Sequence, residues 1–324
     1  MVNNFRSVVR RCYGPPEILK IETIQSPALR PPEIRVRVHA STVNRTDCGG
    51  LWGKPFIFRF FAGFPNPRHL ATGSDFSGEV VEVGSTVKRF KVGDRVFGFN
   101  DHGLGSHAEY MVIGESGSIE TVPDSITHEQ AAASLEGVHY AYNFINKVNV
   151  QPGTRVLVNG ATGAIGSAAV QILKHMKAEI TAVCPTALVE RVRAMGAGVV
   201  IDYLKNDFTK MNLEPFDFVF DAVGKSSFGQ CRPLLKTKGV YISSELGPRS
   251  ENPFLALVTP YLGGKKVIFP IPMNIPETLK LVKKLLASGE FKPLIDRQYP
   301  LEKISEAFVY VASGQKLGNV LVRP

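Results

Sequence analysis

Three glycines stand three apart in "VLVNGATGAIGSAAVQ": Gly160, Gly163 and Gly166. An apolar run precedes them and a small-residue helical stretch follows. A glycine lets main chain approach an anion with no Cβ in the way. The helix N-terminus beyond it offers N–H groups and the positive end of a dipole. The chemistry this suits is cradling a pyrophosphate, with Gly160, Thr162, Gly163, Ala164, Ile165 and Gly166 along the turn. The spacing is GxxGxxG and not the commoner GxGxxG, so the motif takes its weight from context. A strand lies before it, a helix after it, and strand–helix alternation continues beyond.

The end of the second strand bears on which dinucleotide binds. A fold that selects NAD places an acid there, about 20 residues on, to hold the ribose 2′-hydroxyl. In "EITAVCPTALVER" that place holds Cys184, Pro185 or Thr186, and the first carboxylate is Glu190, a turn into the next helix. A 2′-phosphate is then not repelled. Thr186 could donate to it, and Arg191 or Arg193 could supply charge. NADP(H) is the expected cofactor. Either arginine alone also reads as part of a solvated helix face.

The elements that must position this turn fall into two textures. Residues 1–124 read as irregular β: "EIRVRVHAS" and "GEVVEVGS" alternate, and "GPPE", "SPALRPPE" and "KVGDRV" mark turns. From 125 strands and helices alternate, with strands in "TRVLVNG", "EITAVC", "GVVIDY", "FDFVFDAVG" and "GVYISS". These are continuous Val/Ile/Phe runs, as a parallel sheet covered on both faces requires. The tail, 275–324, holds two amphipathic helices. One carries Leu279, Val282, Leu285 and Leu286, the other Ile304, Ala307, Phe308 and Val311, with exits at Gly289 and Gly314. The strand "NVLVRP" closes it and could rejoin the N-terminal part.

Composition excludes several classes. The 324 residues are 44% hydrophobic and 21% charged, an ordinary globular balance. No apolar run is long enough to span a bilayer, and the N-terminus lacks a signal-peptide pattern. Cys12, Cys48, Cys184 and Cys231 are never closer than 36 residues, which excludes zinc-ribbon spacing and a dense disulfide frame. Scattered thiols suit the cytoplasm. The net charge of +9 is dispersed, without the blocks or signatures of a nucleic-acid binder.

The order of parts resembles the medium-chain dehydrogenase/reductase superfamily, in its zinc-independent quinone oxidoreductase (zeta-crystallin-like) branch. The segments that carry the likeness are "CYGPPEILKIE", "VRVHASTVNRTD", "GSDFSGEVVEVGSTVKRFKVGDRVFGF", "GSHAEYMVI", "QPGTRVLVNGATGAIGSAAVQILK", "GAGVVIDY" and "FDFVFDAVG". The resemblance implies an α/β protein with a GroES-like, partly open β-barrel catalytic domain, 1–124 completed by 275–324. A Rossmann doubly wound parallel-sheet domain, 125–274, binds NADP(H). It also implies a cofactor cleft and a homodimer built through the Rossmann sheet edge at "KKVIFPI".

In zinc-dependent relatives a cysteine and a histidine hold the metal. Here Asn44 of "NRTD" and Ser74 of "GSDFSG" stand in those places, and the cluster of four structural cysteines is missing. Cys48, His69 and Asp75 lack ligand spacing. No metal is expected. By resemblance Asn44 lies beside the nicotinamide ribose, Asp47 orders its loop and Thr46 donates to substrate. Asn44 and Asp47 also suit a helix start. Tyr203 matches a family tyrosine near the adenosine phosphate, or packs at a strand end. Ser244 and Leu246 approach the nicotinamide, and Gly318 and Asn319 return to the cleft. His139 stands where many relatives carry threonine; it is a proton donor or a satisfied structural histidine. The segment "LWGKPFIFRFFAGFPNPRH" reads as core in part, and otherwise as an acceptor pocket wall or a membrane-facing lip.

The expected activity is NADPH-dependent hydride transfer to a small-molecule quinone or α,β-unsaturated carbonyl. Charge spreads over a conjugated acceptor, so no metal is needed. Two other readings stay open: an NADPH-binding structural or regulatory protein that associates with RNA or a membrane surface, and a zinc-free alcohol dehydrogenase.

Overall fold

A computed structural model describes residues 2–100 and 105–324. The chain divides into two compact units, Met1–Glu136 with Ile275–Pro324, and Gly137–Asn274.

The first unit opens with the hairpin β1 (Asn4–Val9) and β2 (Lys20–Gln25). The long strand β3 (Glu33–Val43) leads into α1 (Arg45–Trp52) and the short α2 (Phe58–Ala62). Then come β4 (Asp75–Val83), β5 (Arg95–Phe99), β6 (Tyr110–Gly114), β7 (Ile119–Thr121) and α3 (His128–Ala132). In β3 the alternation buries Ile34, Val36, Val38 and Ala40 on one face. At Ser41–Val43 it stops, because both faces are covered there. Register shifts at Arg35/Val36 and Val38/Ala40 bend the strand. One edge of β3 pairs β4, and the other pairs β6.

The helix α4 (Leu135–Ile145) leads into the second unit. Its elements are β8 (Arg155–Asn159), α5 (Ala164–His175), β9 (Glu179–Cys184), α6 (Val189–Met195) and β10 (Val199–Asp202). They continue through β11 (Phe216–Asp221), α7 (Phe228–Cys231), β12 (Leu235–Ser243), α8 (Glu251–Leu262) and β13 (Lys266–Ile268). The six strands form a parallel sheet ordered β10-β9-β8-β11-β12-β13. This is the doubly wound order, and it reverses at β8/β11.

The chain returns to the first unit through α9 (Ile275–Ala287), β14 (Ile295–Pro300), α10 (Ile304–Ala312) and β15 (Asn319–Arg323). The apolar stripes of α9 and α10 are buried as their spacing requires. The strand β15 pairs antiparallel with Ser41–Val43 of β3, which clamps the polar end of that strand.

Candidate functional site

In the second unit the turn after β8 carries the glycines. Gly160 has φ +80°, a conformation glycine adopts without strain, and a Cβ there would meet Val223 at 2.7 Å. A Cβ on Gly166 would lie 2.1 Å from the Gly160 carbonyl oxygen, so its bareness lets α5 sit against the turn. Gly163 differs. It has an ordinary φ of −74°, and a Cβ there would meet nothing closer than 3.6 Å. The protein's own packing does not demand glycine at 163. What a side chain would occupy is the open space at the helix N-terminus, where no side chain caps α5. The twelve-residue helix therefore presents its first N–H groups uncovered, and the turn fits a dinucleotide pyrophosphate. Thr162 and Ala164 are buried, and Ile165 is half-buried.

The neighbouring strand ends are tied by Asp221, fully buried at the end of β11. Its carboxylate accepts from Asn159 Nδ2 at 3.1 Å, Ser226 Oγ at 2.8 Å, Tyr241 Oη at 2.9 Å and the Gly224 N–H at 2.9 Å. Ser244 and Leu246 follow β12, the first half-buried and the second exposed.

At the far end of the sheet Thr186 does not present a free hydroxyl. It donates to Asp202 Oδ2 at 2.5 Å, and Lys205 Nζ stands 3.7 Å from the same oxygen. These three residues line a pocket of about 460 Å³. Arg193 pairs with Glu190 at 2.5 Å, whereas Arg191 is exposed without an ion pair among the described residues. Tyr203 is exposed beside Asp202. His139 lies in this same unit, fully buried on α4, and its ring meets Tyr140 edge to face.

In the first unit the end of β3 brings together Asn44, Thr46 and Asp47 with residues the motif reading did not single out as partners. The Asp75 carboxylate accepts the Thr42 N–H at 2.7 Å and the Asn44 amide at 3.0 Å, and it also binds the Thr42 hydroxyl. His107, fully buried, has Nε2 2.9 Å from the Thr42 carbonyl oxygen and Nδ1 2.9 Å from Thr72 Oγ1. The carbonyl can only accept, so Nε2 carries the proton and Nδ1 accepts from Thr72. Asp47 takes the third position of α1 and accepts the Asn44 N–H at 2.8 Å, the helix-start arrangement its spacing allowed.

Glu136 was missed. It enters from the first turn of α4, buried, with Oε1 2.9 Å from Thr46 Oγ1. Its other oxygen is buried without a hydrogen-bond partner among the described residues. The signal was present: a carboxylate inside the apolar run "AAASLEGVHYAY".

Burial pushes Asp47 up to about 7, against the Asn44 N–H and the charge of Arg10. Burial also pushes Asp75 up to about 7, assisted by the Asp47 charge. Glu136 is raised well above the carboxylate range, first by burial and then by Asp47, with Lys316 opposing. Three carboxyl groups thus share a field that favours keeping protons on some of them near neutrality. His107 is driven down to about 4 by burial and stays neutral.

The set Cys48, His69 and Asp75 does not assemble. Cys48 packs in the core facing the Phe308 carbonyl, His69 is exposed, and Asp75 is spent on Thr42 and Asn44. Among the described residues no three His, Cys, Asp or Glu side chains are placed to hold a metal ion. Asn319, buried, donates to the Leu294 carbonyl at 3.0 Å, next to Gly318 at φ +97°.

Comparison with known proteins gives two matching families. Residues 30–124 match the alcohol dehydrogenase GroES-like domain, and 195–322 match the zinc-binding dehydrogenase family. A 2-methylene-furan-3-one reductase of Solanum lycopersicum is 30% identical over 96% of this chain and 77% of its own. An NADPH-dependent alkenal/one oxidoreductase, chloroplastic, of Arabidopsis thaliana is 28% identical over 96% of this chain and 78% of its own. The quinone oxidoreductase of Escherichia coli, solved with NADPH, has the same fold. Its TM-score is 0.83 at 24% identity, covering 98% of this chain and all of that one.

Proposed function

The chain belongs to the medium-chain dehydrogenase/reductase superfamily, in its quinone oxidoreductase-like family, and on that premise we propose that it reduces quinones or α,β-unsaturated carbonyls with NADPH. It is an NAD(P)H-dependent oxidoreductase; the acceptor and the preference for the phosphorylated cofactor are the finer reading.

The observation that carries the reading is Gly163. The fold leaves it bare without needing to, at an uncapped helix N-terminus where a pyrophosphate is the fitting occupant. Gly160, Thr162, Gly163, Ala164, Ile165 and Gly166 would hold the phosphates, and Thr186, Arg191, Lys205 and Tyr203 would take the adenosine end. Lys205 partly neutralises Asp202, and Arg191 is uncommitted, which favours a 2′-phosphate. When bound, a reduced nicotinamide supplies hydride.

This chain's own residues then handle orientation and the proton. The Asn44 amide is committed to Asp75 and Thr42, which fixes the end of β3 and the start of α1. Thr46 is half-exposed and can donate to the oxygen on which charge develops. Behind it Glu136 Oε1 accepts from the Thr46 hydroxyl; burial disfavours the charge on this carboxyl, so once protonated it can return a proton to Thr46 Oγ1 as that hydroxyl gives its own away. The positive charge of Lys316 favours the resulting carboxylate. Relatives named for a methylene-furanone and for alkenals and enones support the conjugated acceptor.

A homodimer belongs to the same reading. The strand β13 ends the sheet, and α8 exposes Phe254, Leu257, Tyr261 and Leu262. Gel filtration at the mass of two chains supports it, and at one chain refutes it. Four free cysteines, three of them buried, favour a reducing compartment such as the cytoplasm.

The test is a screen of quinones, enals and enones with NADPH and NADH. Acceptor-dependent oxidation of NADPH supports the reading, and its absence with every acceptor rejects it.

A further inference from the structure

The phenylalanines after α1 are not core. Phe56, Phe58, Phe60, Phe61 and Phe64, with Ile57, are between 56% and 75% exposed. Soluble proteins seldom leave so many large apolar side chains together in water. Phe56, Phe60 and Phe64 touch one another, with ring centroids 5.8 to 6.2 Å apart, so they form one aromatic knob.

The knob is held firmly from below. The Arg59 guanidinium lies 4.6 Å from the Tyr13 ring centroid and 5.3 Å from that of Phe56, and it donates to the Trp52 carbonyl at 3.0 Å. Tyr13 Oη donates to the Gly63 carbonyl at 2.7 Å. A segment anchored this way loses little conformational freedom when its tip is covered.

Charge identifies what covers it. From Lys54 to Ser74 there is no acidic residue. Lys54, Arg68 and His69 are exposed, and neither Lys54 nor Arg68 has an ion pair among the described residues. A second copy docked on this face by a two-fold axis would bring Lys54 and Arg68 toward their own likes, with no acid in the segment to meet them. Phenylalanines flanked by free cations match the boundary of an anionic bilayer, where rings enter the acyl edge and cations stay among the headgroups.

We propose that the segment Lys54–His69 docks the protein on anionic lipid bilayers, with the phenylalanine knob inserted and Lys54 and Arg68 on the headgroups. The proposal stands apart from the hydride chemistry. It concerns reversible surface docking; no helix of the described residues is long and apolar enough to cross a membrane.

Trp52 is the only tryptophan of the chain and sits half-buried at the base of the segment, so its emission reports on the knob. The experiment is cosedimentation of the full chain with phosphatidylcholine vesicles, with and without about one-quarter phosphatidylglycerol. Trp52 quenching by brominated lipid is read in parallel. The expected result is binding about tenfold or more stronger to the anionic vesicles, weakened by salt, with quenching of Trp52. The triple variant Phe60→Ser, Phe61→Ser, Phe64→Ser should lose at least about tenfold in binding, and Lys54→Glu with Arg68→Glu should lose the preference for anionic lipid. Circular dichroism checks that both variants remain folded. Wild-type protein left in the supernatant with anionic vesicles overturns the proposal. So does binding that both variants retain, self-association abolished by the serine variant without vesicle binding, or association with RNA in place of vesicles.

Discussion

Thr46 Oγ1 and Glu136 Oε1 lie 2.9 Å apart, joined across 90 positions of sequence. Thr46 is half-exposed and Glu136 is buried, so the pair leads from the interior outward. A buried acid behind an accessible hydroxyl suits proton delivery. Glu136→Gln keeps the shape and removes the transferable proton. Its kcat should fall by about 10²-fold with KM changed little. Because Glu136 is raised above the carboxylate range, wild-type kcat should decline as alkali removes its proton, and the variant should lack that limb. Steady-state kinetics across pH decide this. An unchanged kcat and profile in Glu136→Gln would exclude the relay.

Gly163 and Gly166 should separate binding from folding. Alanine at 166 places a Cβ 2.1 Å from the Gly160 oxygen and should cost about 1–3 kcal/mol or more of stability by overpacking. Alanine at 163 meets ordinary contacts and should change stability by no more than about 0.5 kcal/mol. On the proposed pyrophosphate site its Cβ would meet the ligand, so NADPH affinity should still fall about tenfold or more. Denaturant melts and calorimetric titration of both variants test the contrast.

Asp75 links stability to pH. Its folded value is raised to about 7, above that of the unfolded chain. A raised carboxyl contributes stability below the unfolded value and loses it as pH rises through the folded one. The stability of wild type minus that of Asp75→Asn should therefore fall by up to about 1.4 kcal/mol per pH unit from about pH 4 to 7, then level off. His107 works in the opposite sense: driven down to about 4, it costs stability as pH falls below its ordinary range. Taking the difference between the two proteins cancels His107 and leaves Asp75 together with its coupling to Asp47 and Glu136. A flat difference curve would contradict the assignment.

Arg191 and Lys205 should carry the preference for a 2′-phosphate. Replacing both with alanine should weaken NADPH about tenfold and leave NADH within about twofold. Equal losses for the two cofactors would contradict a contact to the 2′-phosphate, and no loss for either would place the arginine and lysine on the solvated surface only.

Much of this architecture can be read from the chain because its strands and helices differ in period. The Val/Ile runs of β8–β12 and the stripes of α9 and α10 declare themselves locally. The helix α8 does not, since apolar residues surround it and leave no polar face to set a period. The strand β14, "IDRQYP", is too polar and exposed to read as one. The phenylalanines at 56–64 read as core in part and otherwise as a pocket wall or membrane-facing lip, which composition does not apportion; all five are solvent-exposed. In the site, the glycine turn is a local feature and legible. Asp75, His107 and Glu136 meet Thr42 and Thr46 only through the antiparallel pairing of β3 with β4 and the packing of the unit. No short-range spacing encodes those contacts.

The most direct test of the hydride reading uses NADPH deuterated at the transferable C4 position together with an α,β-unsaturated ketone. The expected product is the saturated ketone carrying one deuterium on its β-carbon, with one NADP⁺ formed per turnover. Cofactor left unoxidised, or product without deuterium, would contradict it.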